Sequence, residues 1–367
     1  MIIRRYAMWT MVLLVSLVVA KPPGLQAQTA SRQKVFIDQD IGGATGTDNQ
    51  SLMMLVQAPE IDVVGITIVS GDGQVKASTQ WTLRMLELTG YGHIPVAQGA
   101  KFPLINSREE TALWEAMYGE FGYKGAWNPA RYHSPDEIPV LPIGSPTIKA
   151  VPQHAVNFLI DTIRKHPGEV ILWCGGPLTN VALALQLDPE LPQLVKELVV
   201  MGAGFNVDKG GNHRINGRRE FNWWWDPEAV RMVMSAPWKK ITITPVDISV
   251  KTNLSDEMKA AIAKSDSPTA QYFTKYTRPG AAGGGGYMWD EMAAAAVIDP
   301  SIITQQQELQ VNVDIDHGAG YGQTIFIEKS VKAPSWLWKV STVQVDLDKD
   351  KFYKLYVDLM SRPSKKQ

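Results

Sequence analysis

Six apolar, β-branched runs recur along this chain, each closing on a polar or glycine-rich turn, and no other feature narrows the possible folds as far. The runs are Val35–Asp40, Asp62–Gly71, Ile94–Gly99, Glu169–Gly176, Glu197–Gly204 and Lys240–Ile248. They lack strict alternation of apolar and polar residues, which is the mark of strands buried on both faces. Helical patterns lie between many of them, at Trp81–Leu88, Ala155–Arg164, Leu178–Leu187 and Pro227–Met234. Strands alternating with helices predict parallel βαβ units, hence an α/β fold with a mostly parallel, Rossmann-like central sheet flanked by helices. In such sheets ligands bind beyond the carboxyl ends of the strands, so the loops after these runs are where chemistry is expected.

The amino-terminal segment has a different composition. Arg4 and Arg5 precede an almost continuously apolar stretch, Ala7–Ala20, and a short segment ends at Ala27. A charged start, an apolar middle and a small residue at the end describe a secretory signal peptide over 1–27. The apolar stretch is short for a bilayer-spanning helix, which needs about 20 residues. The expectation is therefore export to the periplasm or the medium, no membrane attachment after cleavage, and a single domain over 28–367. Losing Arg4, Arg5 and Lys21 leaves 33 basic against 37 acidic residues. That mild acidity carries no electrostatic footprint for nucleic acid. Cys174 is the only cysteine and sits in an apolar run, which predicts a core position and excludes a disulfide within the chain.

Residues 101–150 break the strand–helix pattern with several prolines and the aromatics Trp114, Tyr118, Phe121, Tyr123 and Trp127. They are expected to form a long loop or small insertion near the mouth of the site.

The residues that carry chemistry begin at the first run. Asp38-Gln39-Asp40-Ile41-Gly42-Gly43 closes it, Thr47-Asp48-Asn49 follows, and a helical pattern begins at Gln50. Asp48 is placed to cap that helix. Three acids and an amide around glycines at a strand end repel one another unless a cation neutralises them, and hard oxygen donors suit Ca²⁺ or Mg²⁺. The D-x-D pattern alone also fits a haloacid-dehalogenase-type phosphatase with Asp38 as nucleophile.

Later segments separate the two. The first segment resembles the amino-terminal signature of the nucleoside hydrolase family (the inosine-uridine-preferring superfamily). Gly176-Pro177-Leu178-Thr179-Asn180-Val181-Ala182 resembles a second signature of that family. A third is matched by Val200-Met201-Gly202, Gly211-Asn212, Glu220-Phe221-Asn222 and Asp226-Pro227-Glu228-Ala229. Pro245-Val246-Asp247 resembles a further segment, and Asp290 opens a helical run as the family's late metal-binding aspartate does. The order holds from about Val35 to about Met360. Any one motif is weak; five in order are specific.

The resemblance implies an N-ribohydrolase that gives ribose and free base, with Ca²⁺ as cofactor and a nucleoside as substrate. It implies Asp40 as metal ligand and general base on the attacking water. It implies Asp290, the main-chain carbonyl of Thr179, Asp48 and the residue at Asn49 around the metal. It places Asp48, Asn212, Glu220 and Asn222 on the ribose hydroxyls and Met201 among the substrate-binding residues. It further implies a homo-oligomer, dimer or tetramer.

Two departures bear on activity and specificity. Asn49 stands where the family has a second aspartate, and the turn over Gly43–Thr47 is longer than the family's. An amide offers one oxygen and no charge, so metal affinity should fall. Trp289 stands before Asp290, where pyrimidine-tolerant members often place a histidine. Trp289 resembles the purine-preferring type, as does Asp72, which would contact the purine edge. Stacking on a base contributes about 1–3 kcal/mol, enough to select purines. Trp114 or Tyr118 would be the opposite stacking face, and one of Trp223, Trp224 and Trp225 is expected on the ligand side. His213, beside Asn212, reads as a surface-loop histidine. Two alternatives stay open: an exported non-catalytic nucleoside- or sugar-binding protein, and a hydrolase of another N-riboside.

Overall fold

The computed structural model describes residues 32–205, 218–277 and 286–364. Among them nine strands form one sheet: β1 (Gln33–Gln39), β2 (Ile61–Ile68), β3 (Val96–Gln98), β4 (Ile171–Cys174), β5 (Glu197–Met201), β6 (Ile241–Thr244), β7 (Ile303–Val313), β8 (Thr324–Glu328) and β9 (Val340–Leu347). Their order is β3-β2-β1-β4-β5-β6-β9-β7-β8. Every pair from β3 across to β9 is parallel. Only β7 runs against its neighbours β9 and β8. The sheet is thus mostly parallel and flanked by helices, as the alternation of runs predicts.

Two apolar cores explain why the runs lack alternation. Val35 and Ile37 of β1 enter one core, while Phe36 between them enters the other. Ile171 and Trp173 of β4 split from Leu172 and Cys174 in the same way, as do Val199 and Met201 of β5 from Leu198 and Val200. Successive side chains point to opposite faces of a strand, so a strand covered on both sides must be apolar throughout. Cys174 is a core residue, and burial pushes its thiol well above the ordinary range. Among the described residues no helix is long and apolar enough to cross a membrane.

The last of the six runs is shorter as a strand than its composition suggests. β6 stops at Thr244, and Val246–Ser249 turns helical after Pro245. The carboxyl-terminal strands are the larger surprise. β7 opens with Ile-Thr-Gln-Gln-Gln-Glu; residues 304–308 are exposed, and only 309–313 enter the core.

The strand order places the site. From β1 the chain builds outward to β2 and β3, then returns to build β4, β5 and β6 on the other side. At such a reversal the loops leaving the two central strands diverge, and a crevice opens beyond their carboxyl ends. Asp38-Gln39-Asp40 and Gly175-Gly176 lie there, at the ends of β1 and β4.

Residues 101–150 contain the helix Arg108–Tyr118, whose amino end is capped by Ser107 Oγ accepting from Glu110 N at 3.0 Å. They also contain a 3₁₀ turn, Gly125–Trp127. That turn is tied to the loop after β2 by Ala126 N donating to Gly71 O at 2.9 Å. Gly125 sits at φ +47°, and a Cβ there would stand 2.5 Å from Gly71 O, so the approach needs glycine.

The pairing of β1 with β2 slips by one residue between Val35 and Phe36, which sets Phe36 opposite Gly65. A Cβ on Gly65 would lie 2.8 Å from the rings of both Phe36 and Phe158, which pack with centroids 5.6 Å apart. Gly65→Ala should therefore force this pair apart and destabilise the protein by about 1–3 kcal/mol, the usual cost of overpacking. Urea unfolding should show a lower midpoint at unchanged slope. An unchanged midpoint would mean that the rings shift freely and that the glycine is not required by packing.

Candidate active site

Asp40 is the first residue past β1, and the chain turns there, so its carboxylate does not share a direction with that of Asp38. Asp40 Oδ2 accepts from Asp72 N at 2.7 Å, and Gly73 N donates to Asp40 O at 3.0 Å. Two glycines let the neighbouring loops come this close. A Cβ on Gly71 would stand 2.1 Å from Asp40 Oδ2, and one on Gly176 2.9 Å from Oδ1. Asp38 instead points into the fold: its Oδ1 accepts from Thr67 Oγ1 at 2.6 Å and from Asn180 Nδ2 at 2.8 Å. That ties β1 to β2 and to the helix Thr179–Leu187.

Asp48 and Asp290 come to the same crevice from two packed helices. Thr47–Gln57 begins with Gly46 at its cap, so Asp48 lies in the first turn and does not cap it. Its carboxylate accepts from Gly42 N and, at 2.9 Å, from Asn49 N. Trp289–Ile298 carries Asp290 in its first turn. Asp290 N donates to Thr47 Oγ1 at 3.0 Å, and Thr47 Oγ1 donates to Glu291.

Gln39 joins these pieces. Its Oε1 accepts from Asp40 N at 2.9 Å, and its Nε2 lies 3.0 Å from Asp290 Oδ2 and 3.3 Å from Ser51 Oγ.

These carboxylates raise one another. Burial is the main cause for Asp40, followed by Asp72, Asp48 and Asp290, and together they hold it well above the carboxylate range. Burial followed by Asp48, Glu291 and Asp72 does the same to Asp290. Asp48 is lifted to about 6 by burial, against the pull of three backbone donors and of Arg131. The partly exposed Asp72 is lifted to about 7 by burial and by Asp48.

Some buried oxygens at the crevice have no partner. Asn49 Nδ2 donates to Gly43 O at 3.0 Å and to Ala44 O at 2.6 Å, which leaves Asn49 Oδ1 buried and unpaired. Asp72 Oδ1 is buried and unpaired as well. Among the described residues no three His, Cys, Asp or Glu side chains are arranged to hold an ion by themselves. A cation bound here would have to draw on a mixed set, to which Asp40, Asp290, the amide oxygen of Asn49 and the main-chain carbonyl of Thr179 could contribute. Thr179 opens the helix after β4, and its hydroxyl donates to Asp226 Oδ2 at 2.6 Å. Mixed oxygen shells of this kind suit Ca²⁺.

Across the crevice, Asn222 Nδ2 donates to Gly175 O at 2.8 Å and lies 3.3 Å from Met201 O. Glu220 caps the short helix Phe221–Trp225, accepting from Asn222 N at 2.9 Å and from Trp223 N at 3.1 Å. A third donor is the main-chain N–H of Ala203, which follows β5 at φ +71°. Asn212 and His213 lie outside the described residues.

The aromatic expectations divide. Trp289 is partly exposed beside Asp290, with its ring edge-on to Tyr287 at 5.2 Å. Trp114 is used in packing. It stacks on Phe121 at 4.9 Å, lies under the Arg219 guanidinium at 4.6 Å, and donates its indole N–H to Gly318 O at 2.9 Å. Tyr118 packs on it at 5.0 Å. Trp223, Trp224 and Trp225 are all buried, two of them in the same ring cluster, because a five-residue helix turns them inward.

Gln39, Thr47 and Arg131 were not singled out from the sequence, and Tyr123 only as one of the aromatics of the insertion. The first two lie within or beside the D-x-D segment and are legible there as polar residues at a strand end and a helix start. Tyr123 and Arg131 come from the insertion, where no spacing marks them. The Tyr123 hydroxyl is hydrogen-bonded to the Asp72 carboxylate and to the Arg131 guanidinium.

Comparison with known proteins follows the same lines. The model of the inosine-uridine preferring nucleoside hydrolase family matches residues 35–354. A probable uridine nucleosidase 1 of Oryza sativa subsp. japonica is 30% identical over 241 residues, which is 66% of this chain and 67% of the relative. The pyrimidine-specific ribonucleoside hydrolase RihB of Escherichia coli (strain SE11) is 27% identical over 334 residues, 88% of this chain and 96% of the relative. The solved purine-preferring ribonucleoside hydrolase from Gardnerella vaginalis superposes with a TM-score of 0.70 at 21% identity, covering 90% of this chain and 98% of its own.

Glu220 gives this half of the site a pH signature. Burial lifts its carboxyl from the usual 4.5 to about 8, against three N–H donors. A carboxyl with a raised folded pKa costs no stability while protonated in both states. The unfolded chain gains from ionising it between about 4.5 and about 8, so stability falls across that window and levels above it. Glu220→Gln removes the titration. The stability of the wild type relative to this variant should therefore fall from about pH 5 to about pH 8, read from urea midpoints at matched pH. A difference independent of pH would show that Glu220 is ionised throughout.

Proposed function

We propose, on the premise that this chain belongs to the inosine-uridine preferring nucleoside hydrolase family and is an enzyme that cleaves the N-glycosidic bond of nucleosides, that it hydrolyses purine ribonucleosides to ribose and free base with Asp40 as general base. The observation that carries the role of Asp40 is its place: a buried carboxylate fixed at the switch-point end of β1, raised by burial and by three other aspartates. Held there by the Asp72 N–H, the carboxylate stands where it can take a proton from water at the site. It would take a proton from water as the water oxygen bonds to C1′ and the C1′–N pair leaves with the nucleobase. Asp48, Glu220 and Asn222 would hold the ribose, whose ring gathers positive charge as the bond breaks, and buried carboxylates favour that charge.

Asp40, Asp290, the Asn49 amide oxygen and the Thr179 carbonyl would hold a divalent cation, which we propose is Ca²⁺, with Asp48 beside it. Bound there, the cation would lower the pKa of water. The purine preference rests on Trp289, a partly exposed indole where a stacked base would lie, and on the unpaired Asp72 Oδ1. A pyrimidine preference is the second reading, favoured by the uridine and pyrimidine specificity in the names of the two relatives given above. Residues 1–27 support an exported enzyme, periplasmic or secreted.

Free ribose released from inosine, adenosine, guanosine, uridine and cytidine, with calcium and with chelator, tests this. Calcium-dependent release should be faster from the three purines. Asp40→Ala should lower kcat by on the order of 10²–10⁴, the usual share of a general base, while leaving the circular dichroism spectrum unchanged. Wild-type kcat in this variant would remove Asp40 from the mechanism, and faster release from uridine and cytidine would reverse the specificity. Nucleoside binding without ribose release would leave a binding protein in its place.

A further inference from the structure

The charges around the crevice are unevenly distributed. Asp40, Asp48 and Asp290 make one side strongly acidic, while the insertion contributes a cation, Arg131, whose charge acts on Asp48 and Asp72. Between them stands the Tyr123 hydroxyl, bonded to Asp72 and to Arg131. Resting on the nucleosidase reading above, we infer that Tyr123, backed by Arg131, donates a hydrogen bond to the departing nucleobase and stabilises the negative charge that it gains.

Three observations support this placement. First, the segment is anchored at the site. Ala126 N bonds to Gly71 O, next to Asp72, and the Tyr123 ring meets Phe221 edge-on at 5.0 Å, one residue before Asn222. Arg131 is held from its own turn by its N–H to Asn128 O at 2.9 Å, with its guanidinium 5.9 Å from the Tyr123 ring centre. Second, Asp72 spends one oxygen on this cluster and leaves Oδ1 unpaired. Tyr123 gives its one O–H to that oxygen in the free enzyme and can turn it to an entering base, so the pair offers a movable donor beside the free acceptor Oδ1, the pairing that a nucleobase edge offers in reverse. Third, burial and Asp72 hold Tyr123 well above the ordinary phenol range, so it remains a donor at neutral pH.

The polarity suits the reaction. As the C1′–N bond breaks, its electron pair goes to the base nitrogen and positive charge is left on the sugar. Donors preplaced where negative charge develops, in a site shielded from water, contribute most to rate. Tyr123 keeps its proton and shares it. Water bonds to C1′ and yields a proton to Asp40, and the released base takes its proton from solvent. No further reactant is needed.

The test compares two leaving groups. A nucleoside needs help with its departing base, whereas 4-nitrophenyl β-D-ribofuranoside releases a phenolate stable enough to leave without it. Tyr123→Phe should lower kcat on the nucleosides by on the order of 10²–10³, as loss of one such donor does. On the nitrophenyl riboside it should stay near the wild type. Arg131→Gln, at an exposed position, should show the same selectivity with a smaller loss, and it decides the matter if Tyr123→Phe does not fold. Equal losses on both substrates, or none on nucleosides, would overturn the inference. A wild-type enzyme inert on both substrates would instead overturn the function proposed above.

Discussion

The structure is organised around carboxylates that it buries together. Asp40, Asp48 and Asp290 are almost wholly buried, Asp72 is partly so, and Asp48 and Asp72 lift both Asp40 and Asp290. Like charges in a low-dielectric crevice repel strongly, so such a cluster persists only where the surroundings are built to hold it. Here the restraint is mostly backbone. Asp40 is held by the N–H of Asp72, and Asp48 by those of Gly42 and Asn49. Gln39 spans Asp290 and the main chain of Asp40 in one side chain. Glycine at 71 and 176 is then a necessity, because any Cβ there would occupy the space of the Asp40 carboxylate.

Those restraints need strands that end at one level, which the sheet supplies. The crevice forms where the chain reverses its direction of building, between β1 and β4, and both strands are covered on both faces by apolar cores. Burial of the two central strands makes them rigid, and rigidity keeps loops from two distant parts of the chain in register. Asp40, at the end of the first strand, and Asp290, some 250 residues later, come together because the helix carrying Asp290 packs on the helix carrying Asp48. Thr47 sits in that seam, accepting from Asp290 N and donating to Glu291.

What the sequence made legible follows from where each signal originates. Runs such as Ile171–Cys174 are apolar because both faces are buried, so composition alone reveals them. β7 escapes notice because its first half is solvent-exposed and reads Thr-Gln-Gln-Gln-Glu. The carboxylates were legible because aspartates around glycines at a strand end have few structural uses. The aromatics were not: a tryptophan that stacks on a ligand and one that fills a core have the same composition, and Trp114, Trp223, Trp224 and Trp225 lie in buried clusters. Tyr123 and Arg131 act through a tertiary contact between the insertion and the β2 loop, and no local spacing encodes that contact.

Asn49 is best understood with the turn that precedes it. The long turn over Gly43–Thr47 brings the carbonyls of Gly43 and Ala44 onto residue 49, and the amide donates to both. An aspartate there would face two carbonyl oxygens with a carboxylate, leaving three acceptors and no donor in a buried site, at a cost of about 1–3 kcal/mol for each unmet group. The lengthened turn and the amide are thus a matched pair. The exchange removes one negative charge from a crowded cluster and still leaves a buried oxygen, Asn49 Oδ1, without a partner. The departure that looks like the loss of a ligand is, in this geometry, an amide whose nitrogen holds the turn and whose oxygen stays free.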